Sequence, residues 1–206
     1  SDYILMLNQD IILEPNFLEE MMKFMEEKTM VGSVSAKIFR LQDKQKTKYI
    51  DSLGIKLQKN FQAIEIGSGE MDDGQYGVSE EILGPSGAVP FYRRKALEEI
   101  IYQQEYFDET FFSYKEDVDL AFRLQLNGWK SWLNPKAVAY HDRTVFAPVE
   151  KMSKIQIFKN RQRKNKYSNY LSYRNGLYLI VKSLPKFNFK YLWSVLVYES
   201  IKFGYI

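Results

Sequence analysis

The chain has 206 residues, 45% of them hydrophobic and 27% charged, which is enough apolar content for a buried core and excludes a disordered chain. Its net charge of +3 conceals two opposite pieces: residues 1–150 carry 17 Lys/Arg against 25 Asp/Glu, and residues 151–206 carry 12 against the single Glu199. Cysteine is absent, which excludes disulfides, thiolate nucleophiles and cysteine-held zinc, so any metal rests on carboxylates and the lone His141.

In chain order, Tyr3 to Leu7 reads as a fully buried strand that starts directly after Ser1-Asp2, so the chain is expected to begin inside a domain. Asn8-Gln9-Asp10 is a polar break. Pro15 then opens a helix with Phe17, Leu18, Met21, Met22, Phe24 and Met25 on one side. Val31 to Phe39 is the next strand, and this βαβ pattern favours a parallel, helix-covered sheet. Tyr49 to Leu57 and Phe61 to Ile66 alternate across Lys59-Asn60 and predict an antiparallel hairpin. Residues 67–80 carry four glycines without periodicity and read as a mobile surface loop, with a lid over a site as the other reading.

Ile82 to Tyr92 contains Pro85 and Pro90, which predicts an irregular or edge strand. A short helix follows from Arg94 to about Ile101. A longer one runs from Glu116 to Asn127-Gly128, with acids at its positive end and an Asn-Gly stop. Trp129 to Leu133 and Ala137 to Tyr140 read as two short strands around an Asn134-Pro135 turn, the second delivering His141. From Lys151 the pattern is helical and basic. The tail holds 12 of the 32 aromatic residues, a Lys159 to Lys166 cluster and a helix near Phe189 to Phe203. Its expected partner is an anionic, partly apolar surface such as a phospholipid membrane. No uncharged apolar run reaches the ~18 residues of a bilayer span.

Three places could carry chemistry. Asp10 ends the first strand, where open α/β sheets bind ligands, although spacing alone favours a turn residue that bonds its own backbone. Glu116-Asp117-Val118-Asp119 begins a helix after Phe111-Phe112-Ser113-Tyr114. Asp119 is accounted for by pairing with Arg123, while Glu116 and Asp117 stay open as dipole partners or as a general base beside an aromatic wall for a sugar. Phe111, Phe112 and Tyr114 read as stacking or as core aromatics. His141 reads as a packing residue or a ligand, with Asp142 placed to orient its ring. Oxygen and imidazole donors together suit Mg²⁺ or Mn²⁺.

Taken in order, Asn8-Gln9-Asp10, Glu14-Pro15-Asn16-Phe17-Leu18, Ser86-Gly87-Ala88, Phe91-Tyr92-Arg93-Arg94-Lys95-Ala96-Leu97, Phe107-Asp108-Glu109-Thr110-Phe111-Phe112, Glu116-Asp117-Val118-Asp119-Leu120, Arg123, Gly128 and His141 resemble family 2 glycosyltransferases, most closely rhamnosyltransferase-like members. The likeness spans residues 2–142, and Arg174-Asn175 resembles the region after the catalytic domain in those enzymes. It implies an α/β fold of GT-A type, a mixed, mostly parallel sheet flanked by helices and followed by a helical tail. Residues 1–150 would be the metal- and acceptor-binding part and residues 151–206 the basic aromatic tail. The family's N-terminal nucleotide-binding half is not seen before Ser1, so the chain alone is expected to be inactive.

By the same resemblance, Asp10 and His141 would hold a divalent cation on the diphosphate of a nucleotide-sugar donor. Asn8, Asp10 and Gly87 would line the donor site, and Asp117 beside Glu116 would be the catalytic base of an inverting transfer. Asn8 departs from the acidic residue usual at its position and is expected to hydrogen-bond instead of ligating. The acceptor would be a glycan or lipid-linked hydroxyl in cell-envelope polysaccharide synthesis, at the cytoplasmic inner face of the membrane. The alternatives are an anionic-surface or nucleic-acid binding module and a metal-dependent phosphotransferase. No zinc-finger, RRM or KH signature and no phosphate-binding glycine loop accompanies them, so no nucleic-acid partner is expected.

Overall fold

The computed structural model describes residues 1–142, 166–187 and 192–203. Its strands are β1 (Tyr3–Leu5), β2 (Ile11–Leu13), β3 (Val31–Gln42), β4 (Gln45–Ser52), β5 (Ile55–Leu57), β6 (Ala63–Glu65), β7 (Glu81–Ile82), β8 (Phe91–Arg93) and β9 (Lys130–His141). The helices are α1 (Phe17–Glu27), α2 (Arg94–Glu98), α3 (Glu116–Leu126), α4 (Lys166–Phe187) and α5 (Leu192–Phe203). Residues 159–165 of the basic cluster and Phe189 lie outside the described residues.

Seven strands form one sheet in the order β1-β8-β3-β9-β2, with β4 also on β3 and β7 also on β9. The sheet is mixed. Its longest pairing, β3 with β9, is parallel, and the shorter strands join antiparallel. Because β8 runs against both β1 and β3, strands β1, β3 and β9 point the same way. Their carboxyl ends therefore share one edge of the sheet, where ligands of open α/β sheets bind.

β3 is buried along nearly its whole length because both faces are covered. Val34, Ala36 and Ile38, at every second position, meet Phe17, Met21, Phe24 and Met25 of α1 together with Ala137 and Ala139 of β9. Those four α1 residues form the buried stripe; Leu18 and Met22, expected on the same side, are exposed. A further core joins Tyr92, Ala96 and Leu97 to Leu120, Leu124 and Trp129. Gly128 takes φ +89° just past α3, as the Asn-Gly stop predicts.

Several sequence expectations are corrected. Tyr3 to Leu5 are half-buried and Met6 and Leu7 exposed, because β1 is an edge strand of the described sheet. β8 lies inside the sheet despite Pro90, which precedes the strand and spares its ladder donors. The hairpin is confined to β5 and β6, with Gln58–Gln62 closing it, while residues 49–52 belong to β4. Residues 67–80 hold no named strand, yet backbone bonds tie Gly69 and Glu70 to Ile50, and Asp72 pairs with Lys37 at 2.7 Å.

The largest correction is β9, one continuous strand where two around a turn were expected. Its register against β3 jumps from Ala36↔Asn134 to Lys37↔Val138, so Pro135 sits in a bulge and the direction never reverses. Asn134 stabilises the bulge by accepting from the Lys136 N–H and donating to the Glu20 carbonyl.

Candidate functional site

The loop after β1 brings the first carboxylate to the shared edge. The Asn8 N–H donates to the Ala88 carbonyl at 3.1 Å, and the Asp142 N–H donates to the Asp10 carbonyl at 2.9 Å. Ile11 of β2 pairs with His141 at the end of β9. These backbone contacts set the Asp10 carboxylate beside the His141 ring, with Oδ2 3.3 Å from Nε2. On its other side, His141 Nδ1 lies 2.7 Å from Asp51 Oδ2. A carboxylate acceptor here corresponds to the tautomer with the proton on Nδ1.

Asp51 is 0% exposed and its second oxygen lies 3.4 Å from Arg40 Nε, which gives a line Asp10, His141, Asp51, Arg40 along the edge. Asp142, expected to orient the ring, contributes its backbone N–H to Asp10 instead. Asp51 is the residue that sequence reasoning missed. Its signal was a lone acid between Ile50 and Leu53 in an apolar strand segment.

Among the described residues, no group of three His, Asp or Glu side chains forms a metal cluster. The chain does offer one carboxylate oxygen and one imidazole nitrogen at 3.3 Å, a spacing that neighbouring ligands of one small ion can adopt. The carboxylate behind the imidazole is the usual partner of a ligating histidine. The donor set therefore fits Mg²⁺ or Mn²⁺ with most of the shell left to other ligands.

The second part of the site is the start of α3. Asp117 Oδ2 accepts from the Gly87 N–H at 3.1 Å and Oδ1 from the Val118 N–H at 2.8 Å. Burial nevertheless raises the Asp117 carboxyl above its ordinary value. Burial also raises Glu116, with the neighbouring Asp117 charge adding to it, and Glu116 Oε2 has no hydrogen-bond partner among the described residues. Gly84 makes this approach possible: a Cβ there would meet the Ala121 Cβ at 2.4 Å. Gly87 itself has room for a Cβ, at 3.6 Å from Asp117 Oδ2, so its backbone amide is what touches the carboxylate. The Asn8–Ala88 bond places the Asp10 loop next to this same turn, which brings the two halves of the site together.

The aromatic run before Glu116 divides. Phe111 is 1% exposed and packs with Val118, Phe122, Leu179 and Val195, so it belongs to the core. Phe112 is 76% exposed and Tyr114 also faces solvent, leaving those two for a stacking role. Phe112, Tyr114 and Lys115 have φ of +59°, +71° and +75°. Such conformations in residues other than glycine cost about 1–3 kcal/mol each and persist only where the surroundings hold them.

α4 supplies that hold. Asn175 Nδ2 donates to the carbonyls of Phe111, Ser113 and Tyr114, and Arg174 donates to those of Thr110 and Phe111. Lys182 lies 2.7 Å from both Asp108 and Asp119, and Arg123 pairs with Asp119 at 2.9 Å as expected. Against a burial cost that would raise it, hydrogen bonds from Lys182 and Thr110 hold the Asp108 carboxyl down at about 2. Two basic residues of the tail thus turn inward onto the acidic piece.

The family model for "Glycosyl transferase family group 2" matches residues 3–205. No curated protein sequence matches the chain. Among solved structures, the chain is similar to "Crystal structure of GalNAc-T7 with UDP, GalNAc and Mn2+", with a TM-score of 0.51 and 10% identity over 82% of this chain and 33% of that one. At that identity the likeness concerns the fold, and it agrees with the GT-A type expected from the sequence.

Proposed function

The chain belongs to glycosyl transferase family group 2, and we propose that its site transfers a sugar from a nucleotide-sugar donor to a hydroxyl of a glycan or lipid-linked acceptor, inverting the anomeric carbon. The observation that carries this reading is the presence of two chemically different poles on neighbouring loops, joined by the Asn8–Ala88 backbone bond. Asp10 and His141 stand together at 3.3 Å. Asp117, an oriented carboxylate with a raised pKa, stands at the adjoining turn.

A divalent cation held by Asp10 and His141 would neutralise the diphosphate and make it a better leaving group. The similar structure was solved with UDP, GalNAc and Mn²⁺, which is in keeping with that role. Asp117 accepts the proton of the acceptor hydroxyl as that oxygen forms its bond to the anomeric carbon. The bond from that carbon to the diphosphate oxygen breaks, and its electron pair leaves with the nucleoside diphosphate. The Gly87 and Val118 amides hold both carboxylate oxygens of Asp117, which fixes the direction of proton uptake. Asn8 anchors the metal-side loop through its backbone, and its side chain is a hydrogen-bond partner for the donor. Exposed Phe112 and Tyr114 offer rings for an acceptor sugar.

The order of motifs supports a rhamnosyltransferase-like subtype working in cell-envelope polysaccharide synthesis at the cytoplasmic face of a membrane. No described helix is long and apolar enough to cross one. The test is product mass spectrometry with the full-length protein, a panel of nucleotide sugars and Mn²⁺ or Mg²⁺ present or removed. Transfer that needs the cation and disappears in Asp117→Asn is expected; absence of transfer with every donor would overturn the reading.

A further inference from the structure

We propose that Arg174 and Asn175 of α4 are positioning residues for the Asp117 carboxylate, so that the tail helix is a working part of the site. The inference rests on Asp117 being the base. Asn175 is 0% exposed, and its Nδ2 donates at 2.8, 2.8 and 2.7 Å to the carbonyls of Phe111, Ser113 and Tyr114. Arg174 Nε donates to Asn175 Oδ1 at 2.9 Å, which aims the amide nitrogen at the loop. Arg174 Nη2 reaches the carbonyls of Thr110 and Phe111 at 3.0 and 3.1 Å.

The five contacts to backbone carbonyls fall on residues 110–114, directly before the turn that carries Lys115, Glu116 and Asp117. Phe112, Tyr114 and Lys115 are left-handed, so this stretch cannot satisfy its carbonyls with a regular ladder of its own. α3 begins where the loop ends, with Lys115 preceding its first residue and no side chain capping it. The direction of the first turn of α3 therefore depends on the shape of the loop, and the clasp from α4 fixes that shape. Asp117 must meet the Gly87 amide on one side and an acceptor hydroxyl on the other, a constraint sensitive to displacements of about 1 Å.

The experiment uses the full-length protein with Asn175→Ala, Arg174→Ala and, for comparison, Leu171→Ala, which removes a buried side chain of the same helix outside the cluster around Phe111. Amide hydrogen exchange is read without substrate. In Asn175→Ala, residues 110–119 should exchange roughly 10-fold faster while β3 and β9 keep their protection. Its kcat should fall by about 30-fold or more with the donor KM within about threefold. Leu171→Ala should lower Tm with kcat within about threefold. Arg174→Ala, which leaves Asn175 in place, should show the same pattern at smaller amplitude, and it decides the matter where Asn175→Ala does not fold. Unchanged exchange over 110–119, or a kcat loss no larger than that of Leu171→Ala, would overturn the positioning role alone. A wild-type protein that transfers no sugar would instead overturn the base assignment beneath it, whatever the exchange data show.

Discussion

The Asp51 carboxylate of β4 lies 2.7 Å from Nδ1 of His141 in β9, across 90 positions of chain. Both strands flank β3, where Ile38 pairs with Ser52 on one side and Ala139 on the other, so the sheet register brings the two side chains together. The buried carboxylate fixes which ring nitrogen faces Asp10. Asp51→Asn should therefore lower Mn²⁺ affinity in the presence of a nucleoside diphosphate by roughly 10- to 100-fold. Asp10→Ala should abolish cation-dependent turnover and His141→Ala reduce it at least ~10-fold. Calorimetric titration checks the first and product assays the others; unaltered Mn²⁺ binding in all three variants would remove this edge from the site.

Asp117→Asn should eliminate transfer and keep the fold. The amide has one acceptor oxygen for two N–H donors, Gly87 and Val118, so one bond is lost at a cost of about 1–2 kcal/mol. Glu116→Gln is the comparison, and an inactive Glu116→Gln beside an active Asp117→Asn would exchange their roles. Because burial raises the Asp117 carboxyl, the acidic limb of kcat/KM should lie above the ordinary value of about 4. The sign for stability runs the other way from a salt-bridged acid: the folded state holds this proton more tightly, so ionised Asp117 disfavours folding at neutral pH, and acidification through its folded pKa relieves that.

What could be read locally was read well. The α1 stripe of Phe17, Met21, Phe24 and Met25, the stop of α3 at Gly128 and the Asp119–Arg123 pair all follow from spacing within a turn or two of chain. What failed was decided at long range. Asn134-Pro135 has the composition of a turn, but Asn134 is held by Glu20 of α1 and the strand continues through a bulge. Asp51 carries no local mark of its histidine, and Phe111 is assigned to the core only when Leu179 and Val195 arrive from the tail. The charge split at Glu150 was visible, yet composition could not show that Arg174 and Lys182 turn inward to the acidic piece.

Acid should loosen the α4 contact. The Asp108 carboxyl sits at about 2 against an ordinary value of 3.8, so it contributes stability above about pH 4 that is lost as pH falls towards 2. The size is on the order of 2 kcal/mol. Denaturant midpoints of the full-length protein should fall across that window, and Asp108→Asn should be less stable at pH 7 while losing much of this acid dependence. An unchanged slope in Asp108→Asn would assign the acid sensitivity to other carboxylates.

The tail should bind reversibly to anionic bilayers as a surface contact. α4 and α5 expose Val181 and Trp193, each at 77%, with Leu192, Leu196 and Val197 also open to solvent. Leu179 and Val195, by contrast, pack against the core around Phe111, so only part of the apolar area of these helices is free for a membrane. Arg174 and Lys182 are engaged with the loop and with Asp108 and Asp119. The attraction must therefore come mainly from the remaining basic residues of 151–206, each contributing ~1 kcal/mol near an anionic surface. Salt screens that term within about 10 Å, so vesicle sedimentation should show binding that falls steeply with ionic strength. Trp193→Ser should reduce the salt-resistant remainder, because a ring at the interface supplies apolar area that salt does not screen. Equal binding to neutral and anionic vesicles, or binding to neither, would leave the exposed aromatic and apolar residues as a contact for another macromolecule and remove the membrane from the reading.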